Sequence, residues 1–379
     1  MHFDLTAEQA MIRDLIRDFA DAEVAPGAVE RDRTGVFPVE IFEKLAKLGL
    51  MGLPFSEKYG GGGADTVSFA IVVEELSRVC ASTGITYSAH ISLGGAPLDR
   101  FGTEEQKAKY LTPICSGEYL GAFGLTEPDA GSDAGGTRTA AVRDGDRWII
   151  NGTKCFITNA SYARNLVLTA VTDRSKGTNG ISAFIVPTDA PGFAVSERYE
   201  KMGLHASNTT ELVLDQVTVP EENLLGVEGS GYKQFLAVLD GGRIGIGAMA
   251  VGLAQGAFDK ALGYAKQRKQ FGQPLSAFQA IRFKLADMAM NIEAARNMVY
   301  KAAWLKDQGR GFKKEAAMAK LFASEMCMKV CDQAVQIHGG YGYMREYEVE
   351  RFMRDAKLLE IGEGTSEIQR MVIAGQIGC

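Results

Sequence analysis

Several large functional classes are excluded by what the sequence lacks. Its six cysteines, at positions 80, 115, 155, 327, 331 and 379, are spread too thinly over 379 residues for a disulfide-stapled secreted domain. They read as reduced thiols of a cytoplasmic protein. Basic residues are not in excess: 41 Lys and Arg stand against 47 Asp and Glu, a formal net charge of −6. That balance argues against a nucleic-acid footprint, although a few arginines or backbone N–H groups would still serve one phosphate-bearing ligand. No uncharged apolar run reaches about 18 residues, so no membrane span is expected. A metal site is not expected either. Cys327 and Cys331 lie one helical turn apart, but the nearest histidine is His338 and there is no second cysteine pair, so helix packing is the reading there. No repeat or low-complexity tract is evident. No signal peptide or Arg-rich transit segment is expected, because Thr6-Ala7-Glu8-Gln9 already spells a capping box.

What is present is an ordinary globular balance, 46% hydrophobic and 23% charged, patterned in three zones. Residues 1–119 read as a helical domain, with Met11, Leu15 and Phe19 on one face of a first helix and Ile41, Leu45 and Leu48 on a later one. Gly60 to Gly63 lack the context of a phosphate loop and read as a turn. Residues 120–230 turn β-like. Asn151-Gly152, between Trp148-Ile149-Ile150 and Cys155-Phe156-Ile157-Thr158, signals a hairpin, and further strands fall at 166–168, 181–186 and 212–219. From 231 to 379 the helical period returns. Ile281, Leu285, Met288, Ile292, Ala295, Val299 and Ala302 form one stripe, and a second long helix over 313–337 stops at Gly339-Gly340. The expected fold class is α+β multidomain: an N-terminal helical domain, a central antiparallel β-barrel or sandwich, and a C-terminal four-helix bundle.

Three stretches carry a resemblance. They are Gly124-Leu125-Thr126-Glu127-Pro128-Asp129-Ala130-Gly131-Ser132-Asp133; Gln267-Arg268-Lys269-Gln270-Phe271-Gly272 followed by Phe278-Gln279; and Arg354-Asp355-Ala356-Lys357 followed by Ile361-Gly362-Glu363-Gly364-Thr365-Ser366-Glu367-Ile368-Gln369-Arg370. Their order and the α-β-α layout resemble the acyl-CoA dehydrogenase family over essentially the whole chain. The resemblance implies FAD as cofactor, an acyl-CoA thioester as substrate, an electron-transferring flavoprotein as acceptor, and a homotetramer.

It also implies residue roles. Glu363 matches the base that takes the α-proton while flavin N5 receives the β-hydride. Some members carry the base just before the arginine that Arg243 matches; here that position is Gly242, which cannot act. Leu125 and Thr126 match contacts to the isoalloxazine edge, with Phe123, Gly131 and Ser132 close by; Ser132 also matches a contact to the CoA chain. Phe156 stands where the family usually has Trp against the flavin, with Thr158 following. Arg268 matches the arginine that meets the FAD pyrophosphate from a neighbouring subunit. Phe271, Gln279, Gln336 and Gly340 match further FAD contacts, as do Thr365 and Glu367. Asp240, Arg243, Gly362 and Gly364 match substrate-binding positions.

The residues alone add physical sense to these roles. Backbone N–H groups of a small-residue loop approach a ring or phosphate closely. A guanidinium fork suits phosphate oxygens. A buried carboxylate has its pKa raised toward that of a neutral-pH base. Ser366 with Gln369 forms an expected second capping box that fixes the turn bearing Glu363. His338 is expected to pack or cap a helix rather than to act in catalysis. His90, within the Gly84–Ser92 segment expected to line the acyl pocket, reads equally as a pocket group or a buried histidine. That segment has no Arg, Lys or Asp to hold a dicarboxylate or cyclohexene-carboxyl substrate. Gly362 replaces the Tyr of many straight-chain members, which points to a wider pocket that admits branched or bulky acyl groups; a short or branched acyl chain is the expected substrate. An oxidase, an enoyl-CoA reductase and a non-catalytic acyl-CoA-binding protein remain the alternatives on this fold.

Overall fold

The first helix begins where the sequence places it. In the computed structural model, which describes residues 4–379, Thr6 Oγ1 accepts from the Gln9 N–H at 3.2 Å and the Gln9 side chain accepts from the Thr6 N–H at 3.0 Å. The helical domain then runs through α1 (Ala7–Phe19), α2 (Ala28–Thr34), α3 (Val39–Lys47), α4 (Thr66–Val79), α5 (Ala81–Ala89), α6 (Ala96–Phe101), α7 (Glu104–Gln106) and α8 (Thr112–Cys115). The inward face of α1 differs from the expected one. Met11 is 68% exposed and Leu15 is also exposed, whereas Ile16 is buried and Gln9 turns inward to Asp65 Oδ2 at 2.6 Å. The capping requirement on Gln9 rotates the helix away from the purely apolar stripe. On α3, Ile41 and Leu45 are buried and Leu48 is exposed. Gly60 to Gly63 form a turn whose N–H groups bond to carbonyls of residues 52, 55, 56 and 57.

The central domain is one seven-stranded sheet. Its strands are β1 (Phe123–Gly124), β2 (Ala140–Asp144), β3 (Arg147–Thr158), β4 (Asn165–Val171), β5 (Ile181–Pro187), β6 (Phe193–Val195) and β7 (Thr209–Pro220). Most pairings are antiparallel, but β1 runs parallel to β4 and β2 touches β4 in parallel at Ala140–Val171, so the sheet is mixed. The Asn151-Gly152 pair does not turn a hairpin. It lies inside β3, and the β2–β3 turn falls at Gly145, which has φ +66°. Gly152 is needed for close approach: a Cβ there would lie 2.7 Å from Thr139 Cα. Asn151 Oδ1 instead accepts the Gln216 N–H at 2.8 Å across an irregular register.

The C-terminal domain is built on α9 (Gly231–Gln267), a two-strand hairpin of β8 (Lys269–Gln270) and β9 (Gln273–Pro274), α10 (Gln279–Asp307), α11 (Lys313–His338), α12 (Val349–Ala356) and α13 (Ser366–Ile377). The expected stripe on α10 is buried from Leu285 to Ala302, with Ile281 half-buried at its start. Helices α9, α10 and α11 pack on one another and α13 packs on α11. Cys327 and Cys331 are buried on α11 with sulfurs 4.0 Å apart. Among the described residues, only α9 is long and apolar enough to cross a membrane by composition, and 72% of its apolar window is buried inside the protein.

Helix α9 touches all three domains, and its glycines make this possible. A Cβ at Gly252 would sit 2.0 Å from the Glu74 carbonyl oxygen, and one at Gly256 would sit 2.0 Å from the Arg78 carbonyl oxygen. Helix α4 therefore crosses α9 at backbone contact. On the other side Phe235 stacks on Phe123 of β1, with ring centroids 4.0 Å apart. Gly252→Ala should cost about 1–3 kcal/mol by overpacking and lower the melting temperature. Gly263→Ala, on the same helix with nothing within 4 Å of its Cβ, should leave it unchanged or raise it. Thermal melts of the two variants check this.

Candidate active site

After α12 the chain passes through a 3-10 turn, Lys357–Glu360, and reaches Glu363 in a left-handed conformation. Glu363 has φ +52° and Gly364 φ +95°. Such a conformation in a non-glycine residue costs on the order of 1–3 kcal/mol and persists only where its surroundings enforce it. The enforcing contacts are visible. Lys320 Nζ of α11 donates to the Gly364 carbonyl at 2.7 Å, and the Gln369 side chain donates to the same oxygen at 2.9 Å. The cap of α13 lies one residue earlier than expected. Thr365, not Ser366, accepts the Ile368 N–H at 3.3 Å, and Gln369 grips the Glu363–Gly364 carbonyls rather than closing a box with Ser366.

The strained turn aims the Glu363 carboxylate inward. Its Oε2 is buried without a hydrogen-bond partner among the described residues. Directly against it lies Gly242 of α9, where a Cβ would stand 2.0 Å from that oxygen, with Leu93 beside it. Any side chain at 242 would displace the carboxylate, so the two positions are complementary. Burial raises the Glu363 carboxyl from 4.5 to about 7, against the opposing pull of Lys320 and Arg243.

Two cations frame the carboxylate. Arg243 is buried and donates to Asp240 Oδ1 at 2.5 Å, while its Nε has no partner. Burial draws the Arg243 pKa down and the Asp240 pKa up, opposing their mutual attraction. Lys320 is 0% exposed. Burial lowers its pKa from 10.5 to about 8, with Glu363 as the largest counter-effect. Sequence reasoning missed Lys320. Its signal was a lysine in register with Ala316, Ala323 and Cys327 on the buried face of α11.

A second group of residues lies on the sheet. Leu125 and Thr126 are half-buried just after β1, and the Thr126 carbonyl accepts the Cys155 N–H at 2.9 Å. Beneath them Lys154, fully buried, bonds to Glu127 Oε1 at 2.7 Å and to the Leu125 carbonyl at 3.2 Å. Glu127 also accepts the Arg138 and Thr139 N–H groups. This buried pair, also missed in the sequence, fixes the loop's shape. Phe156, at φ +58°, is 67% exposed with Tyr199 beside it, and Thr158 is half-buried at the end of β3. Gly131 and Ser132 are exposed in the neighbouring turn, whereas Phe123 is buried under the loop.

A third group lies at the far end of α9. Phe271, at φ +50°, tips the β8–β9 hairpin at 93% exposure. Arg268 lies over the Tyr341 ring at 5.4 Å, beside exposed Gly340. Gln279 and Gln336 are exposed nearby in the chain. His338 is buried, bonded to the Ala334 carbonyl at 2.8 Å and stacked on Tyr264, which is the expected packing role. Thr365 caps α13, exposed Glu367 occupies its first turn, and Gly362 is half-buried. His90 is fully buried and is structural. Its Nδ1 accepts the Gly121 N–H at 2.9 Å, so the Nε2–H donates to the Met51 carbonyl at 2.9 Å, and burial lowers its pKa to about 4.

These features suit FAD. An exposed flat ring at Phe156 beside the half-buried Leu125–Thr126 backbone fits a planar ring system, and an exposed guanidinium beside a Gly-Gly turn fits a diphosphate. No hydrogen bond or aromatic pair among the described residues joins the two groups within one chain.

The chain matches the acyl-CoA dehydrogenase N-terminal domain over residues 6–118, the middle domain over 122–217 and the C-terminal domain over 229–378. It is 62% identical to a probable acyl-CoA dehydrogenase of Bacillus subtilis over the full length of both chains. It is 52% identical to a short-chain specific acyl-CoA dehydrogenase of Clostridium acetobutylicum, again over both full lengths. Among solved structures, butyryl-CoA dehydrogenase of Megasphaera elsdenii superposes with a TM-score of 0.98 at 50% identity, covering 100% of both chains. A chain from a structure of the electron transferring flavoprotein of Acidaminococcus fermentans gives 0.99 at 49% identity, also covering both fully.

The raised Glu363 pKa has a consequence for stability. The folded state binds this proton more tightly than the unfolded chain, so stability falls as pH rises from 4.5 to about 7 and levels off above that. Glu363→Gln removes the effect. The variant should melt with its parent near pH 4.5 and progressively higher than its parent up to pH 7, with a constant advantage beyond; paired thermal melts across pH measure it.

Proposed function

Given that the chain belongs to the acyl-CoA dehydrogenase family, we propose that it oxidises a short-chain acyl-CoA thioester to the trans-2-enoyl-CoA, with Glu363 as the base. The observation that carries this reading is the buried, unpartnered Glu363 Oε2 held over Gly242. A carboxylate without a hydrogen bond is poised to accept a proton, and a pKa of about 7 matches a base working near neutral pH.

In this reading the Cα–H bond breaks toward Glu363, which gains the proton, while the Cβ–H leaves with its electron pair and the Cα–Cβ double bond forms. FAD, when bound, supplies the two-electron acceptor for that hydride. Leu125, Thr126, Phe156 and Thr158 would hold its ring end, and Arg268, Phe271, Gln279, Gln336 and Gly340 its phosphate and adenine end. The Glu363 N–H makes no hydrogen bond within the chain among the described residues. It is free to polarise the thioester carbonyl, and such a donor is worth about 10²–10³ in rate. Asp240, Arg243, Gly362, Gly364 and Ser132 would line the substrate's path.

The short-chain assignment rests on the similarity to enzymes named for short-chain and butyryl substrates. Gly362 adds room beside the base. A Cβ there would meet Leu358 at ordinary contact distances of 3.5–3.9 Å. Electron-transferring flavoprotein is the proposed acceptor, supported by the chain of the Acidaminococcus structure. A homotetramer is the proposed assembly. It would cover Phe271 and the exposed Phe283 and Met290 of α10, and bring the Arg268 group of one chain to the Phe156 group of another.

Anaerobic bleaching of the bound flavin over a panel of acyl-CoA thioesters tests the reading. The wild type should bleach rapidly with butyryl-CoA. Glu363→Gln should keep its flavin and bleach slower by about 10²–10⁴-fold, and unimpaired bleaching by that variant would sink the assignment. Gly362→Tyr should lose 2-methylbutyryl-CoA oxidation while sparing butyryl-CoA; an unchanged preference would show that Gly362 does not set the pocket width.

A further inference from the structure

We infer that Lys320 is a positioning residue for this reaction: it ties down the turn that carries the base and supplies the positive charge that keeps that base ionisable. The inference rests on the assignment of Glu363 as base.

The geometry is unusual for a lysine. Lys320 is 0% exposed on the inner face of α11, yet no carboxylate lies within ion-pair distance of its Nζ among the described residues. Its one hydrogen bond, at 2.7 Å, goes to the carbonyl of Gly364, the residue following Glu363. Buried lysines are rare unless paired, because the ammonium loses its hydration. A methionine or leucine would fill this place in the α11 core without that loss, so the charge has a use there. Glu363 exerts the strongest charge effect on Lys320, and Lys320 the strongest on Glu363.

The other charges around the base do not replace it. From α9 come Arg243 and Asp240, paired to each other at 2.5 Å, with Lys313 and Arg100 acting on Asp240. From the 3-10 turn before the base comes Glu360, paired with Lys357 at 2.6 Å, and from α13 comes exposed Glu367. His90, from the helical domain, is neutral in its link between Met51 and Gly121. With Arg243 also bonded to Asp240, Lys320 is the larger of the two positive charges that balance the ionised Glu363. Without that charge a smaller fraction of the carboxylate would be ionised at neutral pH and ready to accept the α-proton. The same ammonium holds the Gly364 carbonyl, so its removal would also loosen the left-handed turn.

Lys320→Gln keeps a donor for Gly364 but removes the charge, and Lys320→Arg keeps the charge. The rate of anaerobic flavin bleaching by butyryl-CoA, followed against pH in the holoenzyme, separates the two roles. For Lys320→Gln the apparent pKa of the base should rise by at least one unit. That makes bleaching about tenfold slower well below the pKa, with recovery toward the wild-type rate at alkaline pH and KM little changed. Lys320→Arg should keep the wild-type profile. A second readout does not use activity: the pH at which the melting advantage of Glu363→Gln levels off should move upward, and the plateau grow, in the Lys320→Gln background. An unshifted profile in Lys320→Gln, or an equal loss at every pH, would overturn the charge role and leave only a structural tether. Full bleaching by Glu363→Gln would instead locate the failure in the assignment of the base.

Discussion

One buried oxygen sets the terms for the centre of the molecule. Glu363 Oε2 is enclosed without a hydrogen-bond partner, and leaving a polar group in that state normally costs on the order of 1–3 kcal/mol. The surroundings are arranged to hold it there. Lys320 and Gln369 grip the Gly364 carbonyl from two helices, Thr365 caps α13, and the resulting turn keeps Glu363 in a left-handed conformation that a free chain would leave. Arg243 and Lys320 offset the charge without bonding to it, which preserves its capacity to take a proton. A direct ion pair would satisfy the carboxylate and spoil it for the role of base proposed for it.

Helix α9 carries this constraint to the rest of the fold. Near its start stand Asp240, Gly242 and Arg243; at its end Arg268 turns into the β8–β9 hairpin. Between them Gly252 and Gly256 let α4 cross at backbone contact, and Phe235 stacks on Phe123 beneath the Leu125–Thr126 loop. The helix therefore sets Glu363, the sheet loop and the hairpin in one frame. The loop has its own lock in the buried Lys154–Glu127 pair. Removing one partner of such a pair leaves the other charge buried and alone, at a cost of about 3–5 kcal/mol, so the loop's shape is as firmly imposed as that of the turn.

The sequence made local signals legible and left the long-range ones hidden. The three zones, the α10 stripe, the Thr6–Gln9 box and the stop at Gly339 all depend on spacing within one element, and the structure carries each of them. Glu363, Arg243 and Gly242 were readable because contiguous motifs surround them. The misreadings have physical reasons. Asn151-Gly152 has turn chemistry, but Thr139, just before β2, lies close against Gly152, which sits within β3. Met11 and Leu15 form a fair apolar stripe, but Gln9 is required inside by Asp65. Ser366 and Gln369 have box spacing, yet Gln369 is drawn to Glu363 and Gly364. Lys320 and Lys154 escaped because nothing local distinguishes a buried lysine from a solvated one; each is explained by a partner 44 or 27 residues away.

The two glycines beside the proposed base constrain it in opposite senses. At Gly242 a Cβ would fall inside the carboxylate, 2.0 Å from Oε2, while at Gly362 it would meet only ordinary contacts with Leu358. Position 242 is thus closed to every side chain as long as Glu363 stands where it does. Position 362 accepts a Cβ with no contact to the carboxylate. In the proposed reading chemistry and specificity are therefore separable in this site. A change at 242 acts through the position of the base and must affect every substrate alike. In the proposed reading a change at 362 would act through the space beside the base and discriminate among acyl groups, at about 1–3 kcal/mol per methylene excluded or admitted.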